Sequence, residues 1–326
     1  MTKKKLAQAY YDLATMLDAG MPILRALEIT IEGRQGYFKQ AFFRLRETIS
    51  EGSGLAEAMA EQRQVFSDLD RLLVEAAETS GSLGDAFRML ADWYDFMHKI
   101  MRRLQTGMIL PFFILTIAAF VFPLPSAVLG GLSMQGYFLT ALKILLLLFI
   151  PTAIVIACLL VKEKVRQVRY PMDFIALRVP LLGQAIYQLS ICRYTKAFGM
   201  LYKAGVPMIE STTRANKAVG NAIVERQFAG GMESVKQGGM AWEGFSDRLP
   251  TDYRHLWQVG EEVGELDKTV DKIAEISGDR ADLFFTEFAR WLPRVVYAIV
   301  AVMVIIMIMR LAGQALGNIQ RNIPTY

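Results

Sequence analysis

LQTGMILPFFILTIAAFVFPLPSAVLGGLSMQGYFLTALKILLLLFIPTAIVIACLLV, residues 104–161, is the stretch on which the reading of this chain turns. Residues 104–142 contain no Asp, Glu, Lys or Arg, and after Lys143 residues 144–161 again carry none. A helix of about 20 apolar residues crosses the hydrocarbon core of a bilayer, so the run is long enough for two crossings. Its prolines and glycines divide it. The first crossing is expected over 104–122, ending at Phe122-Pro123-Leu124-Pro125, and the second over 137–161, with a turn containing Gly130-Gly131 and Gly136 between them. A buried helical hairpin is the alternative, but buried helices are seldom uncharged over such a length.

Working outward, Lys99, Arg102 and Arg103 precede the run and Lys162, Lys164, Arg166 and Arg169 follow it. Basic flanks favour the cytoplasmic side, which predicts a hairpin with both outer ends in the cytoplasm and Arg102 and Arg103 positioning the preceding segment against the membrane. A third apolar segment, 292–311, has Arg294 and Arg310 near its ends and predicts a third crossing, leaving 312–326 as an external tail. The expected organisation is a helical repeat over 1–103, the hairpin over 104–161, a second helical repeat over 162–291, the crossing at 292–311 and the tail. The fold class is mainly α: two duplicated cytoplasmic helical bundles with three transmembrane helices. A hydrophobic content of 53% and a mean hydropathy of +0.28 agree with a mixed chain. The net charge of +4 leaves no segment with the basic excess of a nucleic-acid binder.

Within the first repeat, Leu6, Tyr10, Leu13 and Leu17 recur at helical spacing, which argues against a secretory signal despite Lys3-Lys4-Lys5. Helices are expected over 6–17, 23–31 and 38–49, then a short one after Gly52-Ser53-Gly54, then 67–80 and 83–103. Gly20 should close the first helix, and Pro22 suits the first turn of the next. The same order returns later. Ala19-Gly20-Met21-Pro22 matches Ala204-Gly205-Val206-Pro207 at an offset of 185 residues, Glu51-Gly52-Ser53-Gly54 matches Gln237-Gly238-Gly239-Met240 at 186, and Glu78-Thr79-Ser80-Gly81-Ser82-Leu83 matches Glu261-Glu262-Val263-Gly264-Glu265-Leu266 at 183. Pro111 and Pro293 recur at 182. Landmarks in one order argue for an internal duplication.

On these paired segments, AGMP with AGVP, EGSGLAEAM with GGMAWEGF, and AETSGSL with GEEVGEL, the chain resembles the type II secretion F-protein and type IV pilus assembly platform family over nearly its whole length. It departs from many members in starting its first repeat near residue 6 and in having Ala77 where the second repeat has Gly260. The resemblance implies a multi-pass protein of the bacterial inner membrane with most of its extramembrane mass cytoplasmic. It implies a platform that connects a separate cytoplasmic ATPase to pilin or pseudopilin subunits, beside other inner-membrane assembly proteins. A homo-oligomer is expected as well, because an isolated three-helix membrane unit offers little shared surface for a central machine.

The chemistry-bearing residues fit that expectation. Gly52, Gly54, Gly81 and Gly84 lack the Lys-Ser/Thr that a phosphate-cradling loop needs, so no nucleotide or other cofactor is expected. His98, His255, Cys158 and Cys192 stand in no ligand spacing, so neither a metal site nor catalysis is expected. Glu78 and Glu261 occupy matching helix ends. There a carboxylate either holds a junction or receives basic groups of a partner, and they are the candidates for a coupling contact. Gly20, Pro22, Gly205 and Pro207 are the candidate structural junctions. An integral membrane enzyme or small-molecule transporter is the alternative function; no polar path through the apolar segments favours it.

Overall fold

A computed structural model of the 326-residue chain describes residues 3–124, 127, 133–146, 150 and 166–321. Among them every regular element is helical. The order is α1 (Lys3–Asp18), α2 (Ile23–Glu32), α3 (Tyr37–Ser50), α4 (Leu55–Glu61), α5 (Asp68–Ser80) and α6 (Leu83–Val121), then α7 (Arg166–Arg178), α8 (Leu182–Lys203), α9 (Met208–Ala218), α10 (Ala222–Lys236), a 3₁₀ turn (Ala241–Gly244), α11 (Thr251–Val263) and α12 (Leu266–Arg321). The chain divides into two compact units, one of Met1–Arg102 with Asp173–Leu283 and one of Arg103–Met172 with Phe284–Tyr326.

The first unit holds both repeats. In the first, α1 and α6 meet through Tyr10, Phe87 and Tyr94, with ring centroids 5.6 and 5.8 Å from Tyr10, while Phe42 stacks on Phe38 and meets the edge of Phe66. In the second, Tyr194 and Phe198 of α8 gather Phe228, Phe245 and Trp257, with Tyr194 and Phe228 only 3.8 Å apart. Such clusters bury large apolar area and fix ring orientation as well as helix spacing. α5 packs on α8 and α9, joining one repeat to the other within this unit.

The helix ends follow from local chemistry. Gly20 has φ +81°; its N–H donates to the Leu17 carbonyl and that of Met21 to the Met16 carbonyl, the pair of reverse bonds that satisfies the last carbonyls of α1. Gly205, φ +79°, repeats it with Tyr202 and Leu201. Pro22 and Pro207 lie one position before the first helical turn that the sequence assigned them. Both are extended N-caps, φ −60° and −54°, whose carbonyls accept from Ala26 and Ser211. Proline suits that place, because its fixed φ is compatible with the extended cap and its missing N–H is not needed there.

The expected transmembrane helices require correction. Among the described residues no helix is long and apolar enough to cross a membrane. Residues 104–121 do not form a separate element: they continue α6, which starts in a segment bearing Asp85, Arg88, Asp92, Asp95, Lys99 and Arg102. Residues 292–311 are likewise the middle of the 56-residue α12. Of the expected crossing at 137–161, only 137–146 and 150 lie within the described residues, and much of the hairpin turn lies outside them. Hydropathy marked apolar length without marking where a helix begins. The three transmembrane helices of the expected fold class and the multi-pass inner-membrane location are therefore withdrawn, and among the described residues the fold is mainly α. In the second unit, the Tyr137 hydroxyl donates to the Phe120 carbonyl at 2.9 Å, and Ala119 and Ala141 are buried.

Candidate functional site

α4 opens at Gly54, which has no side chain to cap the first amides of the helix. Glu78 at the far end of α5 fills that role. Leu55 N–H donates to Glu78 Oε1 at 2.6 Å and Ala56 N–H to Oε2 at 3.0 Å, so both carboxylate oxygens are engaged. The second repeat builds the same clasp: Ala241 N–H donates to Glu261 Oε1 at 2.7 Å and Trp242 N–H to Oε2 at 3.2 Å, at the start of the 3₁₀ turn. An ionised acceptor on neutral amides is stronger than a neutral one, roughly 1.5–3 kcal/mol per bond. Each clasp ties the short fourth element to the end of the helix that leads, through a left-handed glycine (Gly81, φ +75°, or Gly264, φ +78°), into α6 or α12.

The surroundings of the two clasps differ in a compensated way. At Gly260, one residue before Glu261, an added Cβ would lie 1.8 Å from Thr269 Oγ1. The same offset places the fully buried Ala77 and the buried Ala86 at the corresponding positions of the first repeat. One repeat thus combines glycine with threonine and the other alanine with alanine. Packing density leaves little room for the two larger members together.

A buried carboxylate at the other end of α5 escaped the sequence reading. Asp70 is fully buried and forms a capping box with Ser67: Ser67 N–H donates to Asp70 Oδ2 at 2.6 Å and Asp70 N–H to Ser67 Oγ at 3.3 Å. Tyr94 of α6 donates to the same oxygen at 2.8 Å. The buried Tyr10 hydroxyl stands beside this carboxylate without a hydrogen bond of normal geometry. Burial pushes the Asp70 carboxyl up to about 6, against the opposing pull of the Ser67 and Tyr94 hydrogen bonds. The Ser-x-x-Asp spacing before an apolar run was the available signal; the link to Tyr94 had none.

Of the other expected positions, Arg102 is exposed on α6, and Arg103 follows it on the same helix. Cys192 is buried, its thiol donating to the Ala274 carbonyl at 3.3 Å, and burial pushes it up to about 11. Cys158 lies outside the described residues. Among the described residues, no group of three or more His, Cys, Asp and Glu side chains could hold a metal ion. The clasps offer structural capping and no nucleophile–base pair.

Residues 9–130 and 194–311 match the family model "Type II secretion system (T2SS), protein F". The chain belongs to this family. Among similar members, the type IV pilus assembly protein PilC of Pseudomonas aeruginosa is 23% identical, covering 94% of this chain and 88% of that protein. The type II secretion system protein F of Xanthomonas campestris is 27% identical, over 90% of this chain and 76% of that protein. PilC of Thermus thermophilus is also 27% identical, over 83% and 72%. The two matched blocks contain most of the two repeats, and both clasp glutamates fall inside them.

Proposed function

We propose that this chain is a non-enzymatic platform for type II secretion or type IV pilus assembly, coupling a separate cytoplasmic ATPase to the movement of pilin or pseudopilin subunits. The observation that carries this reading is the family match across both repeats. The paired clasps support it. A contact on α3 to α5 passes through Glu78 into α6, and one on α10 to α11 through Glu261 into α12, because each clasp closes the turn before the long helix. Conveying work in this way requires alternative contact states. Glu78 and Glu261 are the coupling points in this account, and Arg102 is exposed on the helix leaving the first repeat. Several copies acting together would let one motor act on more than one such pair of helices.

Deleting the gene from its host is expected to stop pilus assembly or secretion while leaving the assembly ATPase at its normal level. The parent chain should restore assembly, and a folded Glu78→Ala/Glu261→Ala variant should restore it at least tenfold less well. Undiminished assembly in the deletion strain would overturn the reading. Full restoration by the double variant would remove the two glutamates from the coupling path.

A further inference from the structure

The duplication allows each surface of one repeat to be compared with its counterpart in the other. Between α1 and α2 lies an open groove of about 850 Å³, lined by Lys4, Lys5, Asp12, Thr15 and Arg34 among others. At the offset of 185 their second-repeat counterparts are Leu189, Ser190, Ala197, Met200 and Val219, all of them 8% exposed or less. The second groove is closed in part by its own Arg193, the buried counterpart of Gln8, whose guanidinium fills the space beside Gly220, and in part by the first repeat. α5 packs on α8 and α9, and Phe96 of α6 lies under the Lys196 ammonium, 4.7 Å from the ring centroid.

The covering surface has a counterpart too. Leu69, Leu72 and Phe96 correspond, at 183, to Asp252, His255 and Asp279, which are exposed. Ala76 corresponds to Val259, 54% exposed. No packing of α11 on α1 or α2 is present among the described residues of the chain. The contact between repeats therefore runs head to tail, leaving one groove and one covering face unused.

The unused pair is also complementary in charge. Lys4, Lys5 and Arg34 outnumber Asp12 around the groove, while the face carries Asp252, Glu262 and Asp279 with Arg280, which bonds Asp252 at 3.0 Å.

We propose that a second copy of this chain docks its α11 and the adjoining part of α12 into the α1–α2 groove, repeating between chains the contact that α5 makes with α8 and α9 within one chain. This rests on the association of copies included in the platform reading and names the surfaces that carry it. Contacts of this kind are heterologous: each copy presents a groove to one neighbour and a face to another. Their charged character makes the association reversible and sensitive to salt.

The test uses two variants of the full chain, Lys4→Glu/Lys5→Glu in the groove and Glu262→Lys/Asp279→Lys on the face, studied by sedimentation at low salt. The parent should associate, and each variant alone should do so at least tenfold more weakly. A mixture of the two should recover the association of the parent, because the unchanged groove of one variant meets the unchanged face of the other and the two charge-reversed surfaces match each other. Rescue on mixing also excludes misfolding as the cause of the single-variant loss. Variants that associate as the parent does would overturn these surfaces while leaving association of copies standing. A mixture that fails to pair would overturn the head-to-tail geometry. A monomeric parent would overturn both the surfaces and the association on which they rest.

Discussion

In the first repeat Asp18 pairs with Arg88; in the second, at offsets of 185 and 183, Lys203 pairs with Asp271, with the charges exchanged. Ala77 and Ala86 are likewise exchanged for Gly260 and Thr269. The backbone devices, by contrast, are shared: left-handed glycines at Gly20 and Gly205, Gly52 and Gly238, Gly81 and Gly264, and a glutamate that holds two amides. The difference follows from what each feature demands. A positive φ or a bare helix start has few chemical solutions, whereas a pair of facing side chains has many, provided both members change together.

Breaking the shared feature should cost most. Glu78→Ala or Glu261→Ala leaves two partly buried amides without their acceptor, and each is expected to destabilise its repeat by about 2–4 kcal/mol in denaturant titration, with similar losses in the two repeats. A loss confined to one repeat would show that the clasps are not equivalent.

The next effect belongs to the first repeat alone. The folded-state value of Asp70 lies above its unfolded value, so the native state binds the extra proton. Stability should decline as pH rises from about 4 through about 6, by on the order of 2–3 kcal/mol. The penalty is absent below the unfolded value. Asp70→Asn retains one acceptor oxygen and should remove this slope from the difference between parent and variant stability curves. Parallel curves would mean that the carboxyl does not titrate in that window.

Exchanging the compensated pair sharpens the comparison further. Gly260→Ala should cost about 1–3 kcal/mol through the clash with Thr269, and Thr269→Ala in the same chain should recover most of it by installing the first repeat's combination. The smallest effect is expected at the ion pairs. Asp18→Lys should cost no more than about 1 kcal/mol, because the pair is largely exposed, and adding Arg88→Asp should restore the parent stability. A thermodynamic cycle on the two substitutions measures the coupling directly.

What the sequence disclosed was local. AGMP and AGVP were readable because a glycine followed two places later by proline already specifies a helix end and a restart. The start of α5 at Ser67 had a local signal too, a serine with an acidic residue three places later before an apolar run. Glu78 was readable as a position but not as a clasp, since its amides lie 22 and 23 residues earlier in the chain. The bond from Tyr94 to Asp70 spans 24 residues and depends on α5 and α6 lying side by side. The open groove and its covered counterpart required knowledge of which helix rests on which. The apolar stretches misled because α6 runs on from a charged segment without a break at residue 104, and composition gives no sign of that continuity.

The platform account is tested most directly by mixing the purified chain with the assembly ATPase of its own system and measuring both binding and ATP turnover. The account predicts that the chain alone hydrolyses no ATP, that it binds the ATPase and changes its turnover, and that folded Glu78→Ala/Glu261→Ala protein still binds but changes turnover less. Hydrolysis by the isolated chain, or an ATPase that neither binds it nor responds to it, would contradict the account.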